Sequence, residues 1–239
     1  MNDLVLSVIV PAYNEAATIE PVLRRLREVP IPLEVIAVND ASTDGTGAAL
    51  DRLHAAGLVD RVIHHPTNRG KGAAFRSGIA AATGHVIVAQ DADLEYDPLE
   101  LPKLLAPIRA GRADAVYGSR FQGGPRRVLF FWHAVGNRFL TLLSNMFTNL
   151  NLSDMETCYK MVRADLLKAL PLVTNRFGIE VELTARLARA GARVWELPIS
   201  YSGRTYAEGK KITWRDGLAA LWHIVRFNLF AGRVGPKPD

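Results

Sequence analysis

One cysteine, Cys158, stands in a chain of 239 residues. That excludes an internal disulfide, and its neighbours predict a packed thiol rather than a nucleophile or ligand. No stretch reaches the roughly 18 uncharged apolar residues that a spanning helix requires. Met1 to Leu6 carries Asp3 and runs straight into a strand pattern, unlike a signal peptide. A cytosolic location is expected, with attachment to a membrane surface left open. The Walker pattern G-x-x-x-x-G-K-[ST] is absent, as is G-x-G-x-x-G after the first strand, which excludes P-loop chemistry and disfavours a nicotinamide dinucleotide fold. Internal repeats and low-complexity segments are lacking. No motif or basic helix points to nucleic acid.

What is present suits one large globular domain, 49% hydrophobic and 22% charged. The net charge of +5 is mild, but its distribution is uneven. Arg120, Arg126, Arg127, Arg138, Arg204, Lys210, Lys211, Arg215, Arg226 and Arg233 all follow the sheet-forming half. That favours a membrane surface or a phosphorylated substrate. Residues 4–118 alternate strand and helix patterns with short connections. Strands are expected at Val5–Val10, Leu33–Val38, Val62–His64, His85–Ala89 and Ala113–Tyr117. Apolar strands without alternation imply a mostly parallel sheet covered on both faces. Beyond Gly118 come an aromatic-rich stretch to Leu152, a helix near Glu180–Ala190, a strand near Val194–Ser200 and a terminal helix from Trp214 to about Phe230. One domain over 1–232, divided near 121 and ending in a frayed tail 233–239, is the expected organisation.

Polar groups gather where the strands end. Gln90-Asp91-Ala92-Asp93-Leu94-Glu95 follows the fourth strand. Alternation would place Asp91, Asp93 and Glu95 on one side of an extended chain, at the sheet edge where ligands bind. Three oxygen donors there suit Mg²⁺ or Mn²⁺ bridging to a diphosphate; a solvated acidic turn is the plain alternative. After the first strand, Pro11 is expected to stop ladder pairing. Tyr13 is placed to stack on a base and Glu15 to accept from base or ribose, or merely to favour a helix start. After the second, Asp40 suits a ribose hydroxyl or base edge, and Asp44 a helix cap. Asn68-Arg69-Gly70-Lys71-Gly72 feeds a helix, and its amides with Lys71 suit an anion.

Taken together, Val10-Pro11-Ala12-Tyr13-Asn14-Glu15, Asn39-Asp40-Ala41-Ser42-Thr43-Asp44, Asn68-Arg69-Gly70-Lys71-Gly72 and Asp91-Ala92-Asp93 resemble the family-2 glycosyltransferases with the GT-A fold. The family usually has two acidic residues where this chain has Asn39-Asp40. The resemblance implies nucleotide recognition around Pro11, Tyr13, Glu15 and Asp40, with metal–diphosphate binding at Asp91 and Asp93. The segments Gly118–Phe121, Asp154–Lys160 and Arg204–Lys211 look like the polyprenyl-phosphate sugar transferases, the dolichyl-phosphate mannose and glucose synthases. That likeness makes Glu95 a third metal ligand and gives the acceptor phosphate to Arg120 with Arg138 or Arg126. It also closes Arg204 and Lys211 over the donor diphosphate and puts Asp154 near the sugar hydroxyls or the base position.

The expected activity is inverting, metal-dependent transfer of a hexose from GDP-mannose or UDP-glucose type donors to a polyprenyl phosphate. A phosphate monoester needs no strong general base, whereas a hydroxyl acceptor would need one, with Asp154 or Glu156 available. A hydroxyl-acceptor transferase, a nucleotidyltransferase and a non-catalytic nucleotide-sugar-binding module are the rival readings. The terminal helix, with Trp214, Leu218, Leu221, Trp222, Val225, Phe227 and Leu229 beside Arg215, His223 and Arg226, resembles an interfacial helix. Phe130, Phe131, Trp132, Phe139, Leu142 and Leu143 offer a second apolar surface. Peripheral attachment at a cytosolic membrane face is expected; core packing, a homo-oligomer contact or a membrane-protein partner are the other uses of these faces.

Overall fold

The computed structural model describes residues 4–208 and 214–230. Seven strands form one mixed sheet: β1 (Leu6–Ala12), β2 (Leu33–Asn39), β3 (Arg61–His64), β4 (Val86–Ala89), β5 (Ala115–Ser119), β6 (Lys160–Arg163) and β7 (Val194–Pro198). Their order is β3-β2-β1-β4-β6-β5-β7. Successive residues of a strand face opposite sides, so the unbroken burial of β4 and β5 and the near-continuous burial of β1 mean cover on both faces. The cover comes from α1 (Ile19–Arg27), α2 (Thr46–Ala55), α3 (Lys71–Ala81), α4 (Leu101–Arg109), α5 (Phe131–Thr148), α6 (Ala164–Ala169), α7 (Ile179–Arg189) and α8 (Trp214–Val225).

β1 pairs in parallel with β2 and β4, β2 with β3, and β5 with β7. β6 runs antiparallel between β4 and β5. The expected α/β class with a mostly parallel sheet is what forms. The strand that pattern reading missed is β6: four residues, charged at both ends, carry no usable periodicity. Its direction matters, because an antiparallel β6 brings its amino end to the edge where β1, β2, β4, β5 and β7 have their carboxyl ends. The segment Asp154–Tyr159 is thereby delivered to that edge. The chain steps outward from β1 through β2 to β3, then returns to β4 on the other flank. A crevice opens at such a reversal of strand order.

Pro11 does not end β1 as expected; it sits inside the strand, in register with Val38. Ile9 O accepts from Gln90 N and Ala12 O accepts from Asp40 N. Alternation therefore turns the Pro11 nitrogen toward β4, beyond that strand's last residue, where no acceptor needs an N–H.

α5 is inside out. Phe131, Trp132, Phe139, Leu142 and Met146 are each more than half exposed. Asn137, Thr141 and Asn145, spaced one turn apart, point inward: to Asp154, to Met155 N, and to Leu152. α5 packs on α7 and α8. α8 continues as a π-turn, Arg226–Phe230. The single apolar surface expected there divides: Leu218, Trp222 and Leu229 are exposed, while Ala220, Ile224 and Phe227 are buried.

Candidate active site

The turns after β1 and β2 are laced together. Asn14 N donates to Ser42 Oγ (3.0 Å), Thr43 N to Asn14 Oδ1 (2.8 Å), Glu15 N to Thr46 Oγ1 (2.9 Å) and Ala16 N to Asp44 Oδ2 (3.1 Å). Asp44 also accepts from Thr46 N, the first amide of α2, from one residue before the N-cap Gly45. Asn14 (φ 51°) and Ala41 (φ 58°) adopt left-handed backbone here, a strain more common at binding sites than elsewhere. Tyr13 is 40% exposed at this rim.

Asp40 is buried, and its carboxylate accepts from His65 Nδ1 (2.7 Å), Arg69 N (3.0 Å) and Gly70 N (2.7 Å). It organises the Gly70 loop before it offers anything to a nucleotide. The anion-binding groups expected of that loop have partners within the protein. Its Gly70 amide is committed to Asp40, and Lys71 Nζ lies between Asp91 Oδ1 (2.7 Å) and Glu180 Oε1 (2.9 Å). The glycines have another cause: a side chain on Gly70 or Gly72 would strike the backbone of Asn175 or Thr174.

Behind β4 the chain is a run of bends over residues 92–96, not an extended segment. The three carboxylates consequently separate into two settings. Burial alone would raise Asp91, but Lys71 beside it holds the carboxyl below the usual range. Asp93 and Glu95 instead face Arg204, from the segment after β7. Arg204 Nη2 is 2.6 Å from Asp93 Oδ2, its Nε 3.3 Å from Glu95 Oε1, and its Nη1 3.5 Å from Glu15 Oε2. Burial, then the negative charges of Asp91 and Glu95, push Asp93 up to about 7 despite this guanidinium. Among the described residues no three such side chains converge on a ready-made metal cage. The donor set still fits a hard divalent cation, because carboxylate oxygens from Glu15, Asp93 and Glu95 already surround one positive group.

A second cluster lies deeper. Arg120, at the end of β5, holds Asp154 through its backbone N (3.0 Å), Nε (2.6 Å) and Nη2 (2.7 Å), and Asn137 Nδ2 adds a fourth bond to Asp154 (3.2 Å). Burial would raise Asp154, but Arg120 keeps it low, which favours its ionised, ion-paired form. Glu156 differs: burial and the charge of Glu180 push it up to about 7, and its Oε1 is buried without a hydrogen-bond partner. Arg120 and Arg126 both stand on the Phe121 ring, at 5.7 and 5.1 Å. Arg138, the other expected phosphate holder, is exposed on α5, while its neighbour Asn137 faces Asp154 and Arg120. Helix phase sets which of the two neighbours turns inward. Lys211 lies outside the described residues. Asn137, Glu180 and Tyr201 were not singled out from the sequence; the first two sit in patterns that read as ordinary helix.

Comparison with known proteins identifies the family and the fold. Residues 7–170 match the model of Glycosyl transferase family 2. An undecaprenyl-phosphate mannosyltransferase of Micrococcus luteus is 34% identical over 245 residues, covering 92% of this chain and 97% of that protein. A polyprenol monophosphomannose synthase of Mycolicibacterium smegmatis is 31% identical, over 85% of this chain and 79% of that protein. Glucosyl-3-phosphoglycerate synthase of Mycobacterium tuberculosis, solved with Mn²⁺, UDP and glucosyl-3-phosphoglycerate, superposes with a TM-score of 0.74. It is 22% identical, covering 99% of this chain and 81% of that one, a likeness of GT-A type fold. The chain belongs to glycosyl transferase family 2 and is a glycosyltransferase.

Proposed function

We propose that this glycosyltransferase moves a hexose, with inversion, from a nucleotide sugar of GDP-mannose or UDP-glucose type to a polyprenyl phosphate, with Mg²⁺ or Mn²⁺. The observation that carries this reading is the inside-out α5. Its outer face is apolar and exposed, while its inner face sends Asn137 to Arg120 and Asp154. One helix thus joins a lipid-compatible surface to the cationic end of the crevice. The names of the two mannosyl-transferring relatives point the same way. No helix among the described residues is long and apolar enough to cross a membrane, so peripheral attachment through α5 and α8 is the form proposed.

In this mechanism Tyr13, Glu15 and Asp40 hold the nucleoside, with Pro11 shaping the floor beneath them. Asp93 and Glu95, with Asp91, would hold the divalent cation, which supplies Lewis-acid stabilisation of the departing nucleoside diphosphate. Lys71 keeps Asp91 ionised and fixed. Arg120 and Arg126 attract the acceptor phosphate, and Asp154 fixes the Arg120 guanidinium through a bidentate contact. Arg204, with Lys211, turns to the donor diphosphate once it arrives. Bringing two anions together is the main barrier, and a phosphate oxygen already carries the charge needed for attack. The work of these residues is positioning and charge cancellation.

One observation favours a second reading. Glu156, raised to about 7 with an unpartnered oxygen, has the properties of a general base for a hydroxyl acceptor. The test is incubation with GDP-mannose or UDP-glucose, Mn²⁺ and a short polyprenyl phosphate. The expected products are a lipid-linked hexosyl phosphate and a nucleoside diphosphate. Release of pyrophosphate, or transfer confined to hydroxyl acceptors, would overturn the proposal.

A further inference from the structure

Arg204 already occupies the place of a cation. Its guanidinium meets carboxylates from two separate strand ends, Glu15 behind β1 and Asp93 with Glu95 behind β4. The segment carrying it is tied down by independent contacts. Arg204 N donates to Glu95 Oε1 (2.9 Å), Tyr201 Oη to Glu95 Oε2 (2.7 Å) and Ser202 N to Glu95 O (2.9 Å). Arg127 reaches Gly203 O (3.3 Å) and Glu208 Oε2 (2.8 Å), and Glu208 Oε2 in turn accepts from Thr205 N (2.7 Å). Glu95 is the hinge of this arrangement: both its oxygens and its carbonyl hold residues 201–204.

A divalent cation takes carboxylate oxygens at about 2.0–2.6 Å. On Asp93 Oδ2 and Glu95 Oε1 it would stand directly beside the Arg204 guanidinium, which is hydrogen-bonded to both. Two positive groups on the same oxygens would also repel. We propose that Arg204 is a resident counter-cation of the crevice, and that a divalent cation and Arg204 compete for Asp93 and Glu95. Metal alone then binds against the strap formed by residues 201–205. Metal arriving with a diphosphate gives the displaced guanidinium a new anion, so the two enter together more readily than either does alone. This coupling rests on the donor reading above; the competition itself rests on the contacts around Arg204.

The test measures Mn²⁺ affinity without nucleotide or acceptor, from the free Mn²⁺ signal in electron paramagnetic resonance. Arg204→Gln should bind Mn²⁺ roughly three- to tenfold more tightly than wild type, the scale expected for losing a partly exposed ion-pair network. Unchanged or weaker binding, or no binding by either protein, would overturn the inference. A measurement on the wild type guards against a misfolded variant. Saturating Mn²⁺ should speed hydrogen exchange at the Arg204 amide, which Glu95 holds in the empty protein; undiminished protection would contradict competition. Parallel transfer assays separate the two claims. Transfer with no Mn²⁺ effect in Arg204→Gln removes this inference alone, and competition without transfer to any acceptor removes the donor–acceptor reading alone.

Discussion

Asp91 and Asp93 are two residues apart, yet they stand in opposite electrostatic settings. The inner one meets Lys71, which Glu180 also holds, and its carboxyl is kept low. The outer one crowds against Asp91 and Glu95 and is pushed up to about 7, even with Arg204 against it. The same contrast divides Asp154, matched by Arg120 in a bidentate pair, from Glu156, raised with an orphan oxygen. Matched carboxylates are held ionised and in place by a resident cation. Unmatched ones hold negative charge or a proton in reserve for something that is not yet bound.

If that division is right, substitutions on its two sides fail differently. Asp93→Asn should lower metal-dependent transfer by about two orders of magnitude or more, the scale of losing a charge-stabilising group. Its melting temperature should hold or rise, because like-charge crowding is relieved. Calorimetric melting beside a turnover assay checks both. Asp154→Ala should do the reverse in kind. It leaves Arg120 buried without its partner, which costs about 3–5 kcal/mol of stability, read as a shift in the urea midpoint. Equal stability of Asp93→Asn and Asp154→Ala would erase the distinction.

A smaller effect is expected from pH. Asp93 and Glu156 both sit at about 7, above the usual carboxylate values. Between about 4 and 7 the native state therefore holds protons that the unfolded chain has released. Their contribution to the stability of the metal-free protein should be full below that window and decline as pH rises through it. Urea titrations of wild type and the Asp93→Asn, Glu156→Gln double variant check the sign: the variant should lose the slope. The smallest effect belongs to Glu156→Gln alone, which should change transfer to a polyprenyl phosphate by less than about threefold. A general base would lose roughly a hundredfold or more.

Much of this was legible before any coordinates. Apolar strands without alternation gave the sheet, and polar clusters at four strand ends gave its working edge. The phase of those clusters was not legible. Asp91 and Asp93 look equivalent in sequence because alternation assumes an extended chain, and the bends after Ala89 break that assumption. Gly70 and Lys71 look like an anion loop because the close approach of Thr174 and Asn175 comes from about a hundred residues away. Asn137 carries no charge to mark it in the sequence, and helix phase decides that it reaches Arg120. β6 escaped notice through shortness, and with it the reason why Asp154 and Glu156 arrive at the same edge as Asp91.

The most direct test sets two acceptors side by side: a short polyprenyl phosphate and the same polyprenol without its phosphate, each with Mn²⁺ and the preferred nucleotide sugar. Metal-dependent hexose transfer to the phosphate and none to the alcohol is the predicted result. Transfer to the alcohol at a comparable rate, abolished by Glu156→Gln, would contradict it.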